Sequence, residues 1–441
     1  MNVTLVYPTM GRDSKGKYTR KRVLPPLQLS TLAGLTPKNI DLNLVDDRIE
    51  DVPYDEPTDL VGISVDTYSA LRSYEIAEGY RRRGIPVVLG GFHPTLMLDE
   101  ARQHADSIVV GQAENVWPAL LNDFSEGRMQ KVYRGSPMPN QIVVDNSFFK
   151  RKEYIPITLI EAGRGCPFTC DFCSVQNFFG KKYYPRPVES IRNQIEESGN
   201  KWIIFVDDNI ASNPKHLGEV CSGIADMNIS WASQMSLTVA KNERLMDQMT
   251  ESGCQGVLIG FESLNKDNLN QMSKNFNGGL ENYLSSVKKF RERGIRIYGT
   301  FAVGYDWETT DSVEESLRFA LDQKFSLASF YPLTPFPGTE LIRRLDTEGR
   351  LTKKNWWLDS EHRWGDIVFN PKNMSPEELS KSCRDAMKKF YSFSSTVTRT
   401  LDFEANVQSI KSGLYFLLSN YLTWREIDHK NSLYLGVKDE N

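Results

Sequence analysis

The stretch GRGCPFTCDFCS, residues 163–174, places Cys166, Cys170 and Cys173 in the spacing C-x3-C-x2-C. Three thiolates cannot all pair as disulfides, and they are one ligand short of a closed four-cysteine site. Such a set suits an iron–sulfur cluster that leaves one iron open to a small molecule. Zinc is the alternative, but it usually takes four ligands, and the nearest histidine in sequence is His216.

Length and composition indicate an ordinary globular protein. The chain has 441 residues, of which 40% are hydrophobic and 25% charged, enough for two or three domains. A net charge of −4 does not favour nucleic-acid binding. No apolar run approaches the ~18 residues of a membrane span, and the first residues lack a signal-peptide layout, so we expect a cytoplasmic protein.

The cysteine count does not indicate a disulfide scaffold. Six cysteines in so long a chain are too few for one, and a reducing compartment suits a cluster. We expect the remaining three, Cys221, Cys254 and Cys383, to be buried, inert thiols.

Residues 1–140 alternate short apolar strands with helical segments such as residues 69–83. This pattern predicts a doubly wound parallel sheet, which binds ligands at the carboxyl ends of its strands. The strand candidates are residues 3–7, 42–45, 60–64, 86–89 and 107–110.

A second alternating series follows a linker at residues 141–154. Six βα repeats over residues 155–345 predict a partial (βα)6 barrel, with the three cysteines in the loop after its first strand, at the active-site end. The strand candidates are residues 157–161, 202–206, 230–237, 256–260, 295–303 and 326–332.

Residues 346–441 form a mainly helical region in this prediction. Residues 375–393 begin with a capping serine and a proline in the first turn, and residues 401–420 form a second predicted helix. Trp356 and Trp357, together with the segment 362–364 that contains His362 and Trp364, either cap the barrel mouth or pack in a core. The apolar residues 413–424 either touch a lipid surface or form a docked helix.

The cysteine motif, with Phe172 before its last cysteine, resembles that of the radical S-adenosylmethionine (radical SAM) superfamily. The resemblance implies that Cys166, Cys170 and Cys173 hold a [4Fe-4S] cluster whose fourth iron binds SAM. It also implies that an electron from the cluster cleaves SAM to a 5′-deoxyadenosyl radical, which abstracts hydrogen from an unactivated position.

Later strand ends resemble the SAM-contacting segments of the same family. The resemblance implies that a set of polar and backbone groups contacts SAM. For some of these residues the alternative is a role within the protein, as a helix cap or as one partner of an ion pair. The set is Phe172, Asp207, Asp208, Asn209, Gln234, Ser236, Glu262, Ser263, Gly304 and Glu308.

Residues 1–140 resemble the cobalamin-binding domain that precedes many radical SAM barrels. Its segments are LPPLQLSTL at 24–32, GGFHPT at 90–95 and DSIVVGQAE at 106–114. The cobalamin contacts that the resemblance implies are Arg48, Ser64, Gly90, Gly91, Gly111 and Glu114.

One departure from the family pattern concerns the cobalt. The base-off signature Asp-x-His-x-x-Gly is replaced by DDRIED at residues 46–51, so Arg48 stands where the ligating histidine would be. Arginine stays protonated and does not ligate cobalt. Cobalamin then binds with its lower face open or water-bound, or the domain lacks the cofactor. We expect His93 to be structural or pocket-lining.

The resemblance predicts an enzyme that acts on a natural-product or lipid-like molecule, with cobalamin and methyl transfer. It also implies an electron donor of the flavodoxin or ferredoxin type. Two alternatives remain open: a cobalamin-free radical SAM enzyme for cyclisation, coupling or rearrangement, and an iron–sulfur electron carrier or scaffold.

Overall fold

The computed structural model describes residues 1–11, 23–138, 140, 142–150, 152–431 and 433–436. Six strands of the N-terminal region form one parallel sheet in the order β2-β1-β3-β4-β5-β6. They are β1 (Asn2–Tyr7), β2 (Asp41–Asp46), β3 (Leu60–Ser64), β4 (Val87–Gly90), β5 (Ser107–Val110) and β6 (Val132–Arg134). The order reverses next to β1, which places a ligand crevice at the carboxyl ends of β1 and β3.

Helices cover both faces of this sheet. They are α1 (Leu27–Leu35), α2 (Ala70–Arg81), α3 (Phe92–Leu96), α4 (Leu98–Ala101) and α5 (Trp117–Ser125). Two separate hydrophobic clusters result, one around Tyr80 and Ile63 and the other around Trp117 and Leu5. Because both faces are buried, the strands are apolar throughout rather than alternating.

A second parallel sheet has the order β14-β13-β12-β11-β10-β7. Its strands are β7 (Thr158–Ile160), β10 (Trp202–Phe205), β11 (Ser230–Gln234), β12 (Cys254–Glu262), β13 (Arg296–Val303) and β14 (Leu327–Pro332). The end strands β7 and β14 do not pair within the described residues, so the barrel is open. The predicted α/β class, with its doubly wound sheet and partial (βα)6 barrel, is confirmed.

Helices follow each barrel strand, and a short hairpin interrupts the first repeat. The hairpin pairs β8 (Gly163–Arg164) antiparallel with β9 (Tyr184–Pro185). The helices are α6 (Val175–Phe179), α7 (Val188–Ser198), α8 (Pro214–Ile224), α9 (Glu243–Glu251), α10 (Lys266–Gln271), α11 (Leu280–Glu292), α12 (Thr310–Asp322) and α13 (Glu340–Thr347). Neither the hairpin nor β6 was predicted, since two- and three-residue strands carry no periodic signal.

The C-terminal region is helical, as predicted, with α14 (Pro376–Phe390), α15 (Phe393–Thr400) and α16 (Ile410–Lys430). Ser375 caps α14 in a capping box with Glu378. The predicted helix over residues 401–420 was wrong in its limits, because Ser409 and Ser412 form a capping box that starts α16 at Ile410. None of the described helices is long and apolar enough to cross a membrane.

Candidate functional site

The three motif cysteines line one cavity inside the barrel. Cys166, Cys170 and Cys173 lie on the loop between β8 and α6, and the cavity has a volume of about 610 Å³. Gly165 precedes the first cysteine with φ +84°, and a Cβ there would lie 2.4 Å from the carbonyl oxygen of Lys182. A glycine is therefore required where the loop leaves the β8–β9 hairpin.

The ends of neighbouring elements hold this loop. The Gly165 amide donates to Asp208 Oδ2 at 2.8 Å, and Asn209 Nδ2 lies 3.7 Å from Cys166 Sγ. Tyr305 donates its hydroxyl proton to Asp171, which also meets Arg344. The loop is thus fixed at both ends before any cofactor binds.

The thiols are suited to a metal cluster rather than to free thiolate chemistry. Burial raises the pKa of Cys170 to about 11 and that of Cys173 to about 12. These thiols stay protonated at neutral pH unless a metal replaces the proton. The three cysteines line the same cavity and are the donor set of a cluster with one free iron, although no three described Cys, His, Asp or Glu side chains are already gathered closely enough to hold a single metal ion.

A buried ion pair faces the same cavity. Lys274 Nζ lies 2.5 Å from Glu262 Oε1, and only 11% of each side chain is exposed. A register shift between Gly260 and Glu262, together with φ +67° at Glu262, turns this carboxylate inward at the end of β12. Burial acts to lower the pKa of Lys274, but Glu262 and the Cys170 thiol outweigh it, so this pKa is raised.

Further polar groups from predicted positions line this cavity. Gln234 Nε2 donates to the carbonyl oxygen of Asp208 at 2.8 Å, and the Ser236 amide donates to Asn209 Oδ1 at 2.9 Å. Phe172 lies there as well. The ends of β10 and β11 therefore form one polar rim around the cysteines.

Four predicted SAM contacts lie outside the cavity lining. Ser263 and Glu308 bond to each other at 2.6 Å in a closed network with Asn268. Gly304 packs against apolar side chains of the C-terminal region. Asp207 accepts from the Ala162 amide and the Tyr183 hydroxyl, both at 2.9 Å, and burial raises its pKa to about 7.

The cavity has a wall of aromatic and basic side chains, of which only Trp364 lies in a segment that we expected either at the barrel mouth or in a core. Phe168 stacks on Phe276 with ring centroids 3.8 Å apart. The other members of this wall are Tyr68, Tyr298, Tyr331, Phe336, Trp364 and Lys430. Alternate side chains of a strand point to the same face, so Tyr298 shares a face of β13 with Thr300 and Ala302. This alternation is the one signal in the sequence that would have revealed Tyr298.

All six predicted cobalamin contacts line a second cavity of about 490 Å³, between the first sheet and the barrel. Gly91 lies there with φ +108°, and a Cβ would come within 2.7 Å of the Val65 carbonyl oxygen. Buried Gln112 Nε2 and Glu114 Oε2 have no hydrogen-bond partner in the described residues. A cradle of glycines with an unsatisfied donor and acceptor fits the flat, amide-bearing corrin ring.

Arg48 projects into this cavity in a fixed position. Its guanidinium makes two bonds to Asp46, of 2.9 and 2.7 Å, donates to the Leu24 carbonyl oxygen at 2.8 Å and lies 4.6 Å from the Tyr7 ring centroid. His93 is fully buried, with Nε2 2.9 Å from Glu100, and does not line the cavity. This placement is the structural one that we expected for His93.

The two cavities adjoin. Asp208 lines both of them. A smaller pocket of about 370 Å³ between them is lined by Tyr7, Arg48 and Asp66 from one side and by Tyr68 and Trp364 from the other. A group bound in the cradle therefore faces the space beside the cysteines.

Arg164 connects the start of the cysteine loop to the second cavity, which its side chain lines. Its guanidinium donates to Glu161 at 2.9 and 2.7 Å, to Gln112 Oε1 at 2.8 Å, and to Glu114. These acidic neighbours outweigh burial and raise the pKa of Arg164. Arg164, two residues before Cys166, is thus hydrogen-bonded to both Gln112 and Glu114, the two side chains that each have an unsatisfied atom in the second cavity.

Comparison with known families matches three segments of the chain. Residues 160–320 match the radical SAM superfamily, residues 19–121 the B12 binding domain, and residues 339–422 a domain of unknown function, DUF4070.

Individual proteins match over most of the chain. The bacteriochlorophyllide d C-12(1)-methyltransferase of Chlorobaculum tepidum is 31% identical over 85% of this chain and 84% of its own. The C-8(2)-methyltransferase of the same organism is 30% identical over 75% and 78%. The structure of TsrM, a radical SAM methyltransferase from Kitasatospora setae, with tryptophan and a SAM analogue superposes with a TM-score of 0.65 at 17% identity, over 97% of each chain.

Proposed function

The chain belongs to the radical SAM superfamily, in the branch that carries a B12-binding domain, and on that premise we propose that it methylates an apolar molecule with an extended ring system. It is a cobalamin-dependent radical SAM enzyme with a [4Fe-4S] cluster, and the two relatives at 31% and 30% identity are methyltransferases. The alternative of an electron carrier or scaffold is therefore excluded. The observation that carries the proposal is the adjoining pair of cavities that share Asp208.

The cofactors divide the chemistry between the two cavities. When bound, the cluster and SAM supply the radical that removes a hydrogen atom, and cobalamin supplies the methyl group. Cys166, Cys170 and Cys173 hold the cluster in this proposal. Placing the radical source and the methyl donor on opposite sides of one space gives the orientation that such a transfer needs.

Glu262 and Lys274 bind the methionyl end of SAM in this proposal. That end is a zwitterion, and a carboxylate and an ammonium 2.5 Å apart present the complementary charges. Asn209, Gln234 and Ser236 add hydrogen bonds at the rim. Ser263, Gly304 and Glu308 do not contact SAM in this proposal. They support the residues that do, because their own contacts are with the protein.

In the other cavity, Gln112 and Glu114 pair with amide groups on the rim of the corrin, and the glycine cradle admits its flat face. Arg48 leaves the lower face of the cobalt without a protein ligand, since Asp46 and Leu24 already hold its guanidinium. Ser64 and Gly111 complete the cradle.

The aromatic wall of the barrel cavity favours a substrate with a ring system. Phe168, Phe276, Tyr298, Tyr331 and Phe336 offer stacking faces and few hydrogen-bond partners. Two relatives act on bacteriochlorophyllides, which are large planar molecules. A planar tetrapyrrole or polycyclic lipid is therefore the class of substrate that we propose.

The proposal also includes the electron donor, the cellular compartment and the domain limits. A reduced cluster requires an electron donor of the flavodoxin or ferredoxin type and a reducing compartment, which we take to be the cytoplasm. The domain limits that we propose are 1–140, 155–345 and 346–441, joined by the linker 141–154. No nucleic acid takes part.

Anaerobic turnover tests this proposal. Protein reconstituted with iron, sulfide and cobalamin receives dithionite, SAM with a deuterated methyl group, and bacteriochlorophyllide d as probe. We expect 5′-deoxyadenosine and methionine from one SAM, S-adenosylhomocysteine from the SAM that gives up its methyl group, and a product that carries the deuterated methyl group, all detected by mass spectrometry. If no 5′-deoxyadenosine forms, the proposed function is wrong; if it forms without a methylated product, the substrate class is wrong.

Matched variants control for damage to the protein. Cys170→Ala should lose the cluster and all 5′-deoxyadenosine. Cys383→Ala removes a buried thiol from α14, outside the cavity, and should retain both.

A further inference from the structure

Helix α16 carries an apolar stripe that faces solvent. Ile410, Leu414, Leu417, Leu418, Tyr421 and Trp424 are each between 45% and 86% exposed. Their spacing places them along one side of the helix, while buried Phe416, Asn420 and Ile427 occupy the other side. The helix is therefore apolar on the side that no described part of the chain covers.

The preceding helix and turn extend this surface. On α15, Phe393 is 86% and Val397 44% exposed, and in the turn Leu401 is 61% and Phe403 69% exposed. These four side chains and the stripe of six are named here the α15–α16 face. Its four aromatic side chains alone expose roughly 500 Å², about what the largest apolar patch of a typical monomer presents. The six exposed aliphatic side chains of the face add to this area, so the whole face exceeds such a patch and indicates a partner.

The charged side chains around the α15–α16 face indicate the charge of its partner. Lys411 and Arg425 are exposed beside the stripe. The exposed carboxylates of residues 393–430 each already meet a cation: Glu404 lies 3.3 Å from Arg291, Glu426 3.3 Å from Lys430 and Asp428 2.8 Å from Lys388. A second copy of the chain would bring like cations onto the same desolvated surface, which is unfavourable. An anionic partner is favoured.

We propose that the α15–α16 face lies on a membrane that contains anionic phospholipid. Aliphatic side chains enter the acyl boundary, and Lys411 and Arg425 meet the headgroups. Tyr421 and Trp424 stack with ring centroids 6.2 Å apart, and Arg425 lies 5.9 Å from the Tyr421 ring centroid. Such amphipathic rings beside a cation are typical of the level of the headgroups.

The same helix leads to the barrel cavity. Lys430, the last residue of α16, lines that cavity together with the cysteines. It lies six residues beyond Trp424, or about 9 Å along the helix axis. An apolar substrate dissolved in the membrane would thus meet the cavity near the end of the docked helix. This last step rests on the proposed function; the binding to membrane does not.

Vesicle sedimentation tests the membrane proposal with cluster-loaded, cobalamin-loaded protein. We expect co-sedimentation with vesicles of phosphatidylcholine and phosphatidylglycerol, and at least tenfold less with phosphatidylcholine alone or at high salt. Leu418→Gln/Trp424→Gln and Lys411→Glu/Arg425→Glu should each reduce binding at least tenfold. The controls Leu284→Gln and Lys38→Glu change exposed residues elsewhere and should bind normally.

Two results would overturn the proposal: no sedimentation of the unaltered protein with anionic vesicles, or a dimer by light scattering that both double variants convert to monomer. Formation of 5′-deoxyadenosine without substrate should be unchanged in all variants. That measurement separates failure at the membrane from failure of the proposed function.

Discussion

Lys274 lies on the turn after α10, and its ammonium reaches Glu262 because the irregular end of β12 turns that carboxylate into the barrel. If the pair binds the methionyl end of SAM, Lys274→Met removes a charged hydrogen bond that contributes about 1.5–3 kcal/mol. We expect the Kd for SAM to rise roughly 10- to 100-fold. The change that SAM causes in the EPR spectrum of the reduced cluster measures this affinity.

The control for Lys274 is an exposed lysine at the start of α10. Lys266→Met should bind SAM normally. Lys274→Met/Glu262→Gln, which leaves no unpaired charge, should also bind SAM weakly while keeping the cluster. Normal SAM affinity in a cluster-loaded Lys274→Met protein would contradict the assigned role.

Arg48 gives a prediction that does not depend on turnover. Because Arg48 occupies the position of a ligating histidine, the Co(II) form of bound cobalamin should show no nitrogen superhyperfine splitting in its EPR spectrum. His93→Ala should leave the spectrum unchanged, since Glu100 and Thr67 hold His93 away from the cavity. A nitrogen splitting in the unaltered protein would show that another group ligates the cobalt.

At the residue scale, spacing identified the cysteines because they lie within eight residues of chain. The cradle residues followed from family motifs, and the structure brings all six to one cavity. Lys274 belongs to no motif, because its partner lies on another element and becomes a neighbour only on folding. Glu308 and Ser263 carried a family signal, yet the structure bonds them to each other instead.

At the element scale, the start of α14 offers a stability test. Ser375 accepts from the Glu378 amide at 3.1 Å, and the Ser375 amide donates to the Glu378 carboxylate at 2.7 Å. Ser375→Ala should cost about 1 kcal/mol, so hydrogen exchange of the α14 amides should accelerate about fivefold. Ser380→Ala lies inside the same helix, where alanine is favoured, and should slow exchange or leave it unchanged. Equal effects of the two variants would argue against the cap.

Local chemistry decided where most elements begin, but not all of them. The serine, proline and acidic residues at 375–378 were sufficient to predict the start of α14. Residues 401–409 read as helical from composition, whereas Asn406 bonds to the carbonyl oxygens of Lys324 and Arg399 and holds a turn. The β8–β9 hairpin formed without a sequence signal, because tertiary contacts alone bring its ends together.

At the scale of the whole molecule, Arg164 links the cluster loop to the cobalamin cradle. Arg164→Met leaves Glu114 and Glu161 buried without their cation, which costs about 3–5 kcal/mol. We expect a lower Tm and weaker cobalamin binding to cluster-free protein, measured by titration of the visible spectrum. Arg164→Lys should have a smaller effect on both, since it keeps the charge and loses the fork geometry. Unchanged Tm and cobalamin affinity in Arg164→Met would contradict this role.

The sequence by itself determined the α/β class and the two parallel sheets, and it predicted the three cysteines as cluster ligands and Arg48 in place of a cobalt-ligating histidine, because each depends on neighbours within one strand, turn or motif. The tertiary structure alone decided that the two cavities meet at Asp208 and that Arg164 bonds the start of the cysteine loop to the second cavity. It also buried Trp356 and Trp357 in the core of the N-terminal region instead of at the barrel mouth. These outcomes depend on how separate elements pack, and packing brings together residues whose distance along the chain carries no local pattern.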